Sequence, residues 1–355
     1  MKLSMITVAI AAVISMGCAK KNTAAPMQPQ AAALQSAPSP APAANSKKML
    51  SEQGRDPAQF PAYVEKLKSQ ARAKGISDAT LDIAFANIHF VDRVIQSDRN
   101  QLEKKITLDD YLAKVLTPSK IAQGKEIYQR YQPQLSPVAA RYGVPERYIV
   151  ALWGMESGFG KIQGKEDVIS ALSTLAFEGR REAFFTKELM AALEIIQQGR
   201  VEDPQLKGSW AGAMGQSQFM PSSFLTYGAD GDGDGKVDIW NNIDDVFAST
   251  ANYLSTEGWK PGMEWGQEVQ LPEDFNVALA GLKDSQAKTV AQWQQLGVIP
   301  KGSVANPDLR AWVIVPDDVQ GRAFLVYDNF RTIMHWNRSY YFAISIGMMA
   351  DSISQ

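Results

Sequence analysis

Residues 148–160 read YIVALWGMESGFG: an apolar run that ends on one glutamate and breaks at once into Ser157-Gly158-Phe159-Gly160. Ile149, Leu152, Trp153 and Glu156 fall at i, i+3, i+4 and i+7, which is one face of an α-helix. The spacing predicts a helix whose apolar stripe is completed by a carboxylate. Most glutamates at a helix end turn to water or pair with an arginine. On a packing face, burial disfavours the charged form and raises the pKa. A carboxyl that keeps its proton near neutral pH meets the requirement for a general acid. These residues alone support a catalytic Glu156 and a structural one equally. The glycines that follow are read as letting a long substrate approach the backbone.

Upstream, helix signals run from Gln53 to Gly160. Gly75 ends one amphipathic stretch and Ser77 caps the next. Thr107-Leu-Asp-Asp110 resembles a capping box. Thr117-Pro118, Ser136-Pro137 and Val144-Pro145 are three further starts, with Pro at the first helical position. Downstream, DVISALSTLAF (167–177) and TKELMAALEIIQQG (186–199) continue as helix, the latter ending at Gly199. After Trp259 the pattern changes. EWGQEVQLP, AWVIVP and GRAFLVYDNF are short, β-rich and bounded by Pro or Gly, so they read as strands. SYYFAISIGMMADSI (339–353) is long enough to favour a buried helix. The expected fold is mainly α (α+β), with a small β-containing subdomain over about 260–330.

Composition removes several function classes. Lys plus Arg (36) nearly balances Asp plus Glu (38), so a polyanion such as nucleic acid is not an expected partner. The histidines are His89 and His335, and the sole cysteine is Cys18, which excludes a disulfide framework and a Cys/His zinc site. Cys18 closes MKLSMITVAIAAVISMGC, a Lys-led apolar segment too short to span a bilayer. Residues 1–18 are read as a lipoprotein signal peptide with Cys18 acylated. Ser15 departs from the usual leucine of that pattern, and the alternative is a plain secretory signal. Ala19, in place of Asp, fits sorting to the periplasmic side of the outer membrane; soluble periplasmic protein is the alternative. Residues 19–50 are Ala, Pro and Gln-rich and read as a disordered tether, leaving 51–355 for the folded domain.

Two further blocks carry chemistry. GSWAGAMGQSQFMPSSF (208–224) starts too rich in glycine for a regular element, and no Gly-Lys-Ser/Thr follows, so it is not a phosphate loop. With Trp210, Gln216, Ser217 and Gln218 it suits stacking and hydrogen bonds to an uncharged polar ligand such as a sugar, or else forms a tight structural turn. DGDGDGKVDIW (230–240) puts Asp230, Asp232 and Asp234 at positions 1, 3 and 5 of an EF-hand loop, Gly235 at 6 and the Lys236 carbonyl at 7. Asn241 stands at position 12, where a bidentate glutamate belongs, so either Asp244 or Asp245 closes the site or the loop binds weakly. A structural Ca²⁺ is expected there, and no cofactor for the chemistry.

From about Phe60 onward the chain resembles the membrane-bound B-type lytic murein transglycosylases. The likeness rests on YGVPERYIVALWGMESGFG, LKGSWAGAMGQSQFMPSSF, the Asp-rich loop, ANYLSTEGW and FLVYDNFRTIMHWNRSYYFAISIGMMADSI, in that order. It implies a lysozyme-like helical core and non-hydrolytic cleavage of the MurNAc-β-1,4-GlcNAc bond, giving 1,6-anhydroMurNAc ends. It further implies Glu156 as the single catalytic acid and base, Ser209, Gln218, Phe219, Met220, Tyr253 and Asn337 as substrate-binding residues, and Arg180 and Arg181 as a pair that faces substrate peptide or stabilises the cleft. For the metal loop it favours Asp245 over Asp244. Where the family often has Tyr before the Asn, this chain has Trp336. Glu166, Asp167, Glu178 and Glu182 are read as surface or helix-end acids. Glycan strands are the implied partner, with cell-wall synthases as a further one. The competing readings are a non-catalytic murein-binding scaffold lipoprotein and a hydrolytic muramidase.

Overall fold

A computed structural model describes residues 54–100 and 106–355; the signal segment, Cys18 and the whole tether lie outside them. Six helices lead to the stretch quoted above: α1 (Phe60–Ala73), α2 (Asp78–Ala84), α3 (Asp92–Asn100), α4 (Leu108–Val115), α5 (Pro118–Arg130) and α6 (Gln132–Tyr142). Several starts follow the sequence. Ser77 accepts the Thr80 amide, Thr107 that of Asp110, and Thr117 that of Lys120, each satisfying a first-turn N–H. Two proline starts do not. Pro145 is the N-cap of the next helix, one place earlier than expected. Pro137 lies inside α6, which begins at Gln132. Pro133 and Pro137 are both exposed, so the carbonyl that Pro137 leaves unpaired faces water and the helix continues.

The predicted helix is α7 (Glu146–Ser157). Every residue from Tyr148 to Ser157 is buried, so α7 is enclosed on all sides and the one stripe read from periodicity understates it. It packs against α5, α6, α11 (Ile243–Thr256) and α14 (Tyr340–Ile353). Between them come β1 (Glu166–Asp167), α8 (Val168–Glu178), α9 (Glu182–Gln198), β2 (Lys207–Gly208) and α10 (Pro221–Tyr227). Strands β1 and β2 pair antiparallel, Glu166 opposite Gly208. Gly164 lies beside that pair: a Cβ on it would stand 2.1 Å from the Gly208 carbonyl oxygen.

The three predicted strands are β3 (Gly266–Gln270), β6 (Arg310–Ile314) and β7 (Ala323–Val326); with two short strands not predicted, β4 (Lys288–Thr289) and β5 (Ile299–Pro300), they form a five-stranded antiparallel sheet in the order β4-β6-β7-β3-β5. Short α12 (Val290–Gln295) inserts Trp293 into a second apolar cluster with Val269, Val313 and Leu325. Helix α13 (Asp328–Trp336) then leads back to the helical core and α14. Trp265 joins the two parts. Its indole N–H donates to Asp351 (2.9 Å), and its ring fills the place a side chain at Gly347 would take. No helix among the described residues is long and apolar enough to cross a membrane.

Candidate active site

Glu156 sits in the last turn of α7 with 1% of its surface exposed. One oxygen, Oε1, accepts the indole N–H of Trp336 at 2.8 Å; Oε2 is buried with no partner among the described residues. Burial pushes its pKa up to about 8, and the Trp336 hydrogen bond opposes part of that rise. At neutral pH this carboxyl is mostly protonated. The other acids nearby in sequence are engaged elsewhere. Glu166 pairs with Arg93, Asp167 caps α8 through the Ser170 amide, Glu178 binds Arg99, and Glu182 binds Arg55 and Tyr63. None of these four acids partners Glu156, and among the described residues no other carboxylate shifts its titration.

The segment after Glu156 has a structural use the sequence did not show. Gly158 (φ +57) and Phe159 (φ +60) both adopt left-handed backbone, turning the chain and laying the Phe159 ring on Trp153. A Cβ on Gly160 would lie 2.3 Å from Gln216 Oε1. That oxygen accepts the Trp153 indole N–H at 2.9 Å, while the Gln216 amide donates to the Trp240 carbonyl. The glycine thus makes room for Gln216 of the second block, and it also lines the cavity beside that block.

The glycine-rich block builds the wall beside Glu156. Ser209 Oγ accepts the Ala213 amide (3.1 Å), and Met214 bridges to Gly208 and Phe219, so Ser209 shapes the loop. Gln218 has left-handed backbone (φ +49), a strained conformation for a non-glycine residue. Its amide nitrogen donates to the carbonyls of Gln163 and Gly215. The next residue, Phe219, packs on Trp336 (ring centroids 5.3 Å apart), and Trp336 on Tyr253 (4.6 Å). Tyr227 stacks on Tyr253 at 4.3 Å. Phe219, Tyr253, Trp336 and Glu156 are thus one connected cluster, with Met220 and Asn337 beside it in sequence. Among the described residues Asn337 Nδ2 is buried without a partner, and the Tyr111 hydroxyl of α4 is buried with Ser345 beside it. Burial chiefly, and the Glu156 charge in part, raise the pKa of Tyr111.

Two further expected groups lie outside this cluster. Arg180 and Arg181 both bind Asp98 of α3, itself 2% exposed, so this double arginine fastens α3 to the turn before α9. In the acidic loop, oxygens of Asp230, Asp232 and Asp245 lie within 4.8 Å of one another. That spacing suits oxygen donors around one ion with Ca–O distances of about 2.3–2.6 Å. Asp245, and not Asp244, belongs to the cluster, while Asp234 lies outside it and accepts the Lys236 amide. The Lys236 ammonium donates to the Gly199 carbonyl.

Sequence reasoning missed two features. One is the Trp336 donor to Glu156, which no spacing signals, since the residues are 180 apart. The other is Tyr111, which reads as one more apolar position of α4. A cavity of about 640 Å³ adjoins the block, walled by Gln163, Ser209, Trp210 and Trp240 among others; Glu156 does not line it.

Residues 59–351 match the family described as transglycosylase SLT domain. The chain is 30% identical over 250 residues to membrane-bound lytic murein transglycosylase B of Escherichia coli (strain K12), a match covering 69% of this chain and 66% of that protein. Its fold is similar to SltB3 from Pseudomonas aeruginosa in complex with NAG-anhNAM-pentapeptide: TM-score 0.79, 41% identity, 83% of this chain and 79% of that one. It is similar as well to the Escherichia coli lytic transglycosylase Slt35 in complex with calcium, with TM-score 0.70, 26% identity, and 86% and 97% of the two chains covered.

Proposed function

Because the chain belongs to the transglycosylase SLT-domain family, we propose that it cleaves the MurNAc-β-1,4-GlcNAc bond of peptidoglycan without water, leaving 1,6-anhydroMurNAc ends. The observation that carries this reading is the lone, buried, protonated Glu156 held by Trp336 within an aromatic wall. Support comes from the relatives named transglycosylases and from the NAG-anhNAM-pentapeptide bound by one of them.

In the first step Glu156 gives its proton to the glycosidic oxygen as the C1–O bond breaks and the GlcNAc side leaves. Conventional glycosidases place a second carboxylate about 5–9 Å away. Among the described residues no carboxylate perturbs Glu156, and the substrate's own acetamido carbonyl takes that part by bonding to C1. In the second step the MurNAc C6 oxygen attacks C1, the acetamido carbonyl departs, and the C6 hydroxyl proton passes to the Glu156 carboxylate. The carboxylic acid is restored and no water is consumed. A raised pKa serves both steps, since the group must hold a proton at rest and take one back. Gln218, Phe219, Met220, Tyr253 and Asn337 bind and orient the glycan; Ser209 acts by shaping the loop, and the two arginines by fixing α3.

A hydrolytic muramidase would differ in the second step alone, where water instead of the C6 hydroxyl would attack C1 and give its proton to Glu156. Digested sacculi, reduced and analysed by mass, test this: the reading requires anhydro ends, and reducing MurNAc ends, about 20 Da heavier after reduction, would overturn it. Asp230, Asp232 and Asp245 would hold Ca²⁺ as a structural ion joining the acidic loop to α11, with support from the calcium-bound relative. Acylated Cys18 would anchor the enzyme at the periplasmic side of the outer membrane, a placement supported by the relative named membrane-bound. Cell-wall synthases are the partners this placement offers.

A further inference from the structure

Glu188 is a buried carboxylate that the chemistry above does not use. It lies on α9 among Phe185, Leu189 and Ala192, and is 2% exposed. It makes no ion pair among the described residues. Both of its oxygens go to Ser222: Oε2 accepts the backbone N–H at 2.9 Å and Oε1 the hydroxyl at 2.7 Å. Ser222 is the second residue of α10. The N-cap of that helix is Met220, which has no side chain able to cap, and its first residue is Pro221, which has no N–H. The cap is therefore supplied from another helix. A buried carboxylate without a cation is costly to desolvate, and an apolar residue would pack α9 against α10 more cheaply.

What the cap holds is the end of the glycine-rich block. Met220 is two residues from Ser222, Phe219 packs on Trp336, and Gln218 keeps its left-handed backbone immediately before them. Trp336 in turn holds Glu156. We propose that Glu188 is a positioning residue of the glycan-binding wall: by fixing Ser222 it sets Gln218, Phe219 and Met220 in the geometry that binds substrate. The proposal rests on the glycan-cleaving function proposed above.

The test uses the full chain and soluble GlcNAc–MurNAc oligomers, with KM, kcat and melting temperature measured for each variant. Glu188→Ala is expected to raise KM roughly five- to tenfold, the factor that loss of a helix cap converts to, with kcat within about twofold. Glu188→Gln keeps one acceptor for the Ser222 amide and recovers most of the affinity. A melting temperature that falls in Glu188→Ala with KM unchanged would overturn the proposal, since Glu188 would then serve the fold alone. If Glu188→Ala does not fold, Ser222→Ala decides. It removes one of the two hydrogen bonds and should raise KM in the same direction; an unchanged KM overturns the proposal. Wild type that forms no anhydro ends would instead defeat the functional reading.

Discussion

Replacing Trp336 by phenylalanine removes the donor to Glu156 and keeps an aromatic ring against Phe219 and Tyr253. In wild type the carboxyl titrates at about 8, with burial raising the value and the indole N–H lowering it. The indole favours the carboxylate, so its loss must move the titration upward. A hydrogen bond to a charged group contributes about 1.5–3 kcal/mol, and each pH unit corresponds to about 1.36 kcal/mol, so the shift is roughly 1–2 units. The assay is the initial rate of anhydro-end formation across pH 5–10. In wild type, kcat/KM should fall as pH rises through about 8, where Glu156 loses the proton it donates. In Trp336→Phe that limb should move up by the stated amount. A limb that stays in place, or moves down, refutes the argument that Trp336 stabilises the Glu156 carboxylate.

The same group gives a stability prediction. Its folded pKa of about 8 lies above its ordinary value of 4.5, so the fold holds a proton that the unfolded chain gives up. Stability from this group is full below about 4.5, falls as pH rises, and is lost above about 8. Glu156→Gln escapes that cost, at most about 5 kcal/mol, so it should melt above wild type at pH 9 and level with it near pH 4.5; a gap independent of pH would contradict the titration. Calcium should raise the melting temperature of wild type and not of Asp230→Asn, because an ion bound only by the native state stabilises it. No rise, or an equal one with Mg²⁺, counts against the site. Cys18→Ser should move the protein from the membrane fraction to the soluble one; unchanged membrane association would rule out the lipid anchor.

Much of this was legible in the sequence because local rules governed it. The caps at Ser77, Thr107 and Thr117, the strands after Trp259 and the helix 340–353 depend on neighbours a few residues away. Glu156 was legible as an inward carboxylate because helical spacing is local too. Its surroundings were not. The donor that holds it comes from α13, Gly160 is explained by Gln216, and the double arginine is answered by Asp98 on α3. Each is a long-range contact between side chains of ordinary identity, and no spacing rule reaches across them. Pro137 misled for the opposite reason: its local signal was real, and exposure made the lost hydrogen bond cheap enough to ignore.

The central claim is that one carboxyl performs both proton transfers. Wild type and Glu156→Gln should be digested side by side with the same sacculi and their products analysed by mass. Wild type should release 1,6-anhydroMurNAc ends, and the glutamine variant should bind the sacculi, keep its fold and release essentially none. Anhydro ends from Glu156→Gln at a rate near that of wild type would show that another group carries the proton, and would contradict the account.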